Sequence, residues 1–201
     1  MKIFLMNGSP KAHAGASSRL LEFLEHKLGA GHTYVRCISA STKPQEILEG
    51  MSGCEAIVVA FPLYVDGVPS HLLRLLASIE SSVAGAAPGS KFYAVVNNGY
   101  FEARQNQPAL DILRNFCDRA GLVWGQGVGI GGGGMIVNTK EGSSLIKSLD
   151  KALDALAQNI RSGRSSGDLL PDPDVPRFMY MFGGNMSWKG MAKKNGLRLK
   201  K

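Results

Sequence analysis

Five apolar runs of strand length recur along the chain, at residues 2–6, 33–38, 56–60, 91–96 and 122–130, and each is followed by a segment with helical spacing. That alternation restricts the chain to βαβ units around a parallel sheet. The third run, Ala56-Ile57-Val58-Val59-Ala60, is apolar throughout. A strand covered by helices on both faces reads this way. The spacing predicts helices over 18–28, 44–50, 69–78, 108–120 and 143–161. In the third, Leu72, Leu75, Leu76 and Ile79 share a face, and in the fourth Ile112, Leu113, Phe116 and Cys117 do so. The expectation is an α/β domain, doubly wound, with a five-stranded parallel sheet in the order 2-1-3-4-5 and a ligand crevice between strands 1 and 3.

With 201 residues, 44% of them hydrophobic and 19% charged, the chain has enough material for one compact domain. Its three cysteines, Cys37, Cys54 and Cys117, stand far apart without a C-x-x-C pair. This pattern excludes a disulfide framework, a structural zinc and a cluster-binding run, and a reducing cytoplasm is the expected setting. No apolar stretch approaches the roughly twenty residues that span a bilayer, and no secretory leader is recognised at the start, so a soluble, unexported protein without a transmembrane segment is expected.

The formal net charge of +7 belongs to one region. Arg177, Lys189, Lys193, Lys194, Arg198, Lys200 and Lys201 have no acidic neighbour after residue 176, and removing those seven from the 23 basic residues leaves 16 against 16 acidic ones. Residues 1–161 therefore read as the domain, 162–176 as a linker rich in Ser, Gly and Pro, and 177–201 as a basic, aromatic extension. Phe178, Tyr180, Phe182 and Trp188 interleave there with methionines and lysines. Such a segment can dock on the domain, cross to a second subunit or lie on an anionic surface. Docking is the expectation, because four large aromatics on a free tail are an association liability.

Three loops meet at the carboxyl edge of the expected sheet. The first run turns through Asn7-Gly8-Ser9-Pro10-Lys11 toward Ser17-Ser18 at a helix start. Unpaired N–H groups and the helix dipole make that place a phosphate site. After the third run, Phe61-Pro62-Leu63-Tyr64-Val65-Asp66-Gly67-Val68-Pro69 is more apolar than a surface connection requires, and suits a flat ring. After the fourth, Asn98-Gly99 permits a tight turn whose amides can meet the polar edge of such a ring. Each loop alone also reads as ordinary: a capped helix start, an extension of strand 3, a plain turn.

Together these loops resemble those of the flavodoxin-like NAD(P)H-dependent FMN reductases, a family that includes quinone reductases and iron-sulfur flavoproteins. The resemblance covers about residues 1–160, and Asn185-Met186-Ser187-Trp188-Lys189 in the tail is similar to the C-terminal extension of some members. It implies that Ser9, Ser17 and Ser18 donate to an FMN phosphate with Lys11 at its edge. It also implies that Pro62, Leu63, Tyr64 and Val65 line the isoalloxazine, and that Asn98, Gly99 and Tyr100 contact its pyrimidine side. Related loops often carry an Asn before the hydroxyl residue, where this chain has Ala16, a departure that weakens the expected phosphate contacts. The cysteine cluster of the iron-sulfur members is missing.

Other motifs carry less. The run Gly127-Val128-Gly129-Ile130-Gly131-Gly132-Gly133-Gly134 follows the last strand, whereas a dinucleotide fingerprint follows the first. Residues 85–91 have the residues of a P-loop in the wrong order and before a strand. His13, His26, His32 and His71 lack metal-ligand spacing, although His13 lies in the first loop, and no serine sits in a G-x-S-x-G elbow.

The reading is an FMN-dependent oxidoreductase that takes hydride from NADH or NADPH and passes electrons to a quinone, flavin or other small acceptor, working as a homodimer without a nucleic-acid partner. No catalytic side chain or metal is assigned, because a flavin carries the redox chemistry itself. Two alternatives stay open: a flavin-bearing electron carrier without nicotinamide turnover, and a nucleic-acid or membrane-surface binder acting through the basic tail.

Overall fold

The computed structural model describes residues 1–11, 15–38 and 41–197. Five strands, β1 (Lys2–Asn7), β2 (Thr33–Ile38), β3 (Ala56–Pro62), β4 (Lys91–Asn97) and β5 (Val123–Ile130), form one sheet in the order β2-β1-β3-β4-β5. Every neighbouring pair is parallel. The helices are α1 (Ala16–Leu28), α2 (Pro44–Met51), α3 (Ser70–Ala86), α4 (Gln107–Ala120), the single turn α5 (Gly133–Ile136), α6 (Lys147–Ser162) and α7 (Arg177–Lys194). The strand order is the expected one.

Successive strand residues point to opposite faces, and the core divides accordingly. Phe4, Met6, Ile57, Val59 and Phe61 face α2, α3 and α4, where Ile47, Leu72, Leu76, Leu113 and Phe116 meet them. Ile3, Leu5, Ala56, Val58 and Ala60 face the other way, against Leu20, Phe23 and Leu24 of α1 and Leu153, Leu156 and Ile160 of α6. Burial on both faces explains why β3 carries no polar residue.

Helix ends follow local chemistry. Pro occupies the first turn of α2 and α4, where its missing N–H costs nothing. Gly121 after α4 and Gly163 after α6 take the left-handed conformation that closes a helix. Helix α3 runs eight residues beyond the expected end at Ser78, because Ile79 and Val83 continue its buried stripe.

Of residues 162–176, expected as a linker, Ser162 ends α6 and 163–176 are strapped along the outer edge of β5. Ser166 N donates to Gly125 O at 2.8 Å, Leu169 N to Gly127 O at 2.9 Å, and Gly129 N back to Leu169 O at 2.8 Å. The strap thus covers the edge that β5 exposes. Close packing accounts for parts of the glycine run as well. A Cβ on Gly129 would lie 2.7 Å from both Asn106 Cβ and Leu170 Cδ2, and one on Gly131 would lie 2.1 Å from Phe101 O. Glycine is required there for close approach of backbone, not for a dinucleotide.

Asp168 pins the strap. Its side chain is 7% exposed, pairs with Arg114 Nη2, and accepts from Trp124 Nε1 at 3.2 Å and Gly127 N at 2.8 Å. Asp172 accepts from Ala103 N and Asp174 from Ser148 N, each at 2.6 Å, so two carboxylates sit at the starts of helical turns, where the dipole favours them. Among the described residues no helix is long and apolar enough to cross a membrane.

Candidate functional site

The sheet register places the ends of β1, β3 and β4 side by side, with Asn7 opposite Ala60 and Pro62 opposite Asn97. The three loops singled out in the sequence therefore leave one rim. Gly8 N donates to Ala60 O at 2.8 Å, and Leu63 N to Asn97 O at 2.7 Å, which ties them together. Glycine at position 8 leaves room for Leu72 Cδ2, which a Cβ there would meet at 2.6 Å and push aside.

Above the rim stands the start of α1. Its N-cap is Gly15, no described side chain caps it, and its first turn contains no acidic residue. The first intrahelical bond is made by Arg19 N to Gly15 O, so the N–H of Ala16 and of Ser17 lie ahead of the helical ladder. Asn97 Nδ2 donates to Ser17 Oγ at 3.1 Å, and Asn7 Nδ2 donates to Ser18 Oγ at 2.9 Å. Each strand-ending asparagine thus fixes one hydroxyl of the pair, and an amide aimed at a hydroxyl oxygen leaves the Ser17 hydrogen to point elsewhere. Ser9, 3% exposed, is shaped by the same chemistry: its N–H donates to Asn7 Oδ1, and its Oγ accepts from Lys11 N. Lys11 is exposed at the margin, and His71 Nε2 lies 3.0 Å from Gly8 O.

The second loop forms a tight hairpin. Tyr64 and Gly67 exchange both backbone hydrogen bonds at 3.1 Å, with Val65 at φ 48° and Asp66 at φ 55° between them. Positive φ at a β-branched residue is strained. Pro62 and Leu63 are half-buried, whereas Tyr64 is 45% exposed and Val65 protrudes completely at the tip. Leu63 packs against the α2/α3/α4 side of the core.

In the third loop Asn98 is occupied in shaping the turn. Its Oδ1 accepts from Tyr100 N at 2.9 Å, its Nδ2 donates to Glu102 O at 3.1 Å, and its backbone carbonyl accepts from Gly133 N at 2.6 Å. Tyr100 is more than half exposed. Gly99 O accepts the Tyr180 hydroxyl at 2.7 Å, so the first turn of α7 closes on this loop. Burial raises the Tyr180 pKa, which keeps the phenol a neutral donor.

All eleven residues singled out in the sequence, Ser9, Lys11, Ser17, Ser18, Pro62, Leu63, Tyr64, Val65, Asn98, Gly99 and Tyr100, lie at or beside this rim. His13 falls outside the described residues. Asn7 and Asn97, which hold the serine pair, were quoted in the sequence but given no role. Their signal was an asparagine ending an otherwise apolar strand, a place where its side chain can only turn toward the rim. Tyr180 had no local signal.

The donor set suits an organic phosphate. Backbone N–H groups at the helix start, hydroxyls held by neighbouring amides, an exposed lysine and no acid in the first turn all favour a dianion. Beside it the Pro62–Tyr64 segment offers apolar surface.

No protein-family model matches the chain, and no curated protein matches it. Among solved structures it resembles an NADH:FMN oxidoreductase in apo form, with TM-score 0.60 and 15% identity over 82% of this chain and 90% of the other. It also resembles a flavodoxin from Streptococcus pneumonia TIGR4, with TM-score 0.58 and 12% identity over 81% of this chain and 99% of the other. Against the rubredoxin oxygen:oxidoreductase of the anaerobe Desulfovibrio gigas the TM-score is 0.58 and the identity 14% over 81% of this chain, which spans only 35% of that larger one. The fold is flavodoxin-like.

Proposed function

We propose that this chain binds FMN at the rim and acts as an NAD(P)H-dependent oxidoreductase toward a quinone, flavin or other small acceptor. One observation carries the reading: the start of α1, with Ser17 and Ser18 held by Asn97 and Asn7, lies at the same rim as the apolar Pro62–Tyr64 segment. Resemblance to solved structures that include an NADH:FMN oxidoreductase adds support.

When bound, the flavin supplies the two-electron chemistry, taking hydride from a reduced nicotinamide and passing electrons to the acceptor. The chain binds, orients and tunes. Ser9, Ser17 and Ser18 hold the phosphate with Lys11 beside it. Pro62, Leu63, Tyr64 and Val65 line the ring system, and the exposed Tyr64 and Val65 are covered in doing so. Gly99 and Tyr100 offer contacts to the pyrimidine edge in a turn that Asn98 holds rigid. A homodimer accounts for the exposed apolar surface of α7, and the buried free thiols Cys54 and Cys117 suit a reducing cytoplasm.

The test is a titration of the purified protein with FMN, followed by flavin fluorescence and absorbance. Binding that Ser17→Ala weakens about tenfold, the worth of one hydrogen bond to a charged group, supports the assignment. Absence of binding, or binding indifferent to that substitution, removes it. Anaerobic addition of NADPH or NADH then separates a reductase, whose flavin bleaches, from an electron carrier, whose flavin does not.

A further inference from the structure

The Gly8 carbonyl is held by a side chain from another element. His71 Nε2 lies 3.0 Å from Gly8 O, and because a carbonyl only accepts, Nε2 carries the hydrogen. His71 stands in the first turn of α3, two residues after the second loop ends at Pro69, and its ring is half-buried. One imidazole thus joins the loop assigned to the phosphate to the helix that leaves the loop assigned to the ring.

The contact fixes a peptide plane. Gly8 O and the N–H of Ser9 belong to the same planar unit and point in opposite directions. His71 takes the carbonyl end at 3.0 Å, and Asn7 Oδ1 takes the amide end at 3.0 Å. Glycine has no side chain to restrain its own backbone, so restraint at position 8 comes from outside partners. Helix α3 packs on the opposite face of the sheet from α1. A carbonyl turned onto α3 therefore keeps its negative end away from the start of α1, where an anion is favoured. Anchoring the helix does not need this bond, since Leu72, Leu76, Ile79 and Val83 are fully buried and hold α3 on the sheet. What the ring adds is the orientation of the loop.

We propose that His71 is a positioning residue for the phosphate half of the flavin site. Its Nε2–H locks the Gly8–Ser9 peptide with the carbonyl away from the anion, and the preference of this chain for a phosphorylated over an unphosphorylated flavin depends on that lock. The inference rests on the flavin reading above, and His71 acts through Gly8 and Ser9 rather than on the ligand.

The test compares FMN with riboflavin, which has the same ring and ribityl chain without the phosphate. Both are titrated by flavin fluorescence into the parent, His71→Leu and His71→Gln proteins. Leucine removes the donor, whereas glutamine places an amide N–H at the reach of Nε2, and the two have similar helix propensities. His71→Leu should bind FMN about tenfold more weakly, with riboflavin affinity within about twofold of the parent, and His71→Gln should recover most of the loss. His71→Met, apolar and closer to imidazole in length, repeats the comparison if leucine disturbs the fold. The phosphorus NMR resonance of bound FMN should move in His71→Leu and return in His71→Gln, and it decides the matter where riboflavin binds too weakly to measure. A ratio of FMN to riboflavin affinity that stays parental in His71→Leu, or an unmoved phosphorus resonance, overturns the inference. So does a His71→Gln protein as impaired as His71→Leu, because the donor would then not be the cause. A parent that binds both flavins equally keeps the ring reading and overturns this inference alone. A parent that binds neither removes the flavin reading, and this inference with it.

Discussion

The strap at 163–176 and helix α7 follow one another in the chain and are held in opposite ways. The strap has two leucines and almost no hydrophobic content, yet it is tied to the body by backbone pairing to β5 and by three carboxylates. Helix α7 has Phe178, Met179, Met181, Phe182, Met186, Trp188 and Met191 all 45% or more exposed, and none of its residues is buried. Apolar content alone does not decide which segment is anchored. An extended chain cannot satisfy its own N–H and C=O groups and must pair, whereas a helix satisfies its own and attaches only through side chains.

The sharpest way to break the contrast is Asp168→Ala. It strands the Trp124 and Gly127 donors and removes one of the two carboxylates that pair with Arg114, whose bond to Asp111 and 40% exposure compensate in part. A loss of about 3 kcal/mol in urea unfolding is expected. An unchanged midpoint would mean that the strap is not anchored by this residue.

Tyr93 gives the next effect and adds a pH signature. Its hydroxyl shares its one hydrogen between Arg164 O at 3.1 Å, where the strap begins, and Asn159 O at 3.2 Å, and burial pushes its pKa up to about 12. The folded state therefore holds the proton more tightly than the unfolded chain, in which tyrosine ionises near pH 10. The contribution is present below about pH 10 and is lost as pH rises toward 12, on the order of 3 kcal/mol at most. Tyr93→Phe should remove that alkaline fall. A variant whose stability falls as steeply as the parent between those pH values contradicts the assignment.

On the α7 side the effects shrink. Tyr180→Phe deletes one hydrogen bond, worth about 1 kcal/mol, and should make α7 roughly fivefold more susceptible to limited proteolysis without moving the global midpoint. Slower or equal cleavage would show that the Gly99 contact does not hold the helix. Removing residues 177–201 altogether should shift domain stability by less than about 0.5 kcal/mol. A larger loss would mean that α7 is part of the core after all. The same truncation, examined by sedimentation, should dissociate the proposed homodimer.

Legibility in the sequence followed the same division. β1, β3 and β4 were readable because they bury both faces and so carry a nearly unbroken apolar signal, Ala56 to Ala60 most plainly. Ser17 and Ser18 could be placed at a helix start because hydroxyl residues and the apolar spacing of Leu20, Leu21 and Leu24 are local signals. The strap reads as a linker in the sequence because Ser, Gly and Pro serve a free tether and an edge-pairing segment equally well. Asp168 looks like any surface acid until Arg114 and Trp124, more than forty residues earlier, are brought to it. The helical form of the tail was equally hidden, since its apolar residues surround the helix and leave no periodic stripe to detect.

The chain by itself therefore determined the number of strands, their βαβ connection and the residues that gather at the rim, because burial and turn chemistry act over a few neighbouring positions. Only the tertiary structure decided that Asn7 and Asn97 hold the serine pair, that the strap closes the β5 edge and that α7 meets the rim through the Tyr180 hydroxyl on Gly99. Those depend on the register between strands and on contacts across many tens of residues, where local propensity has no purchase.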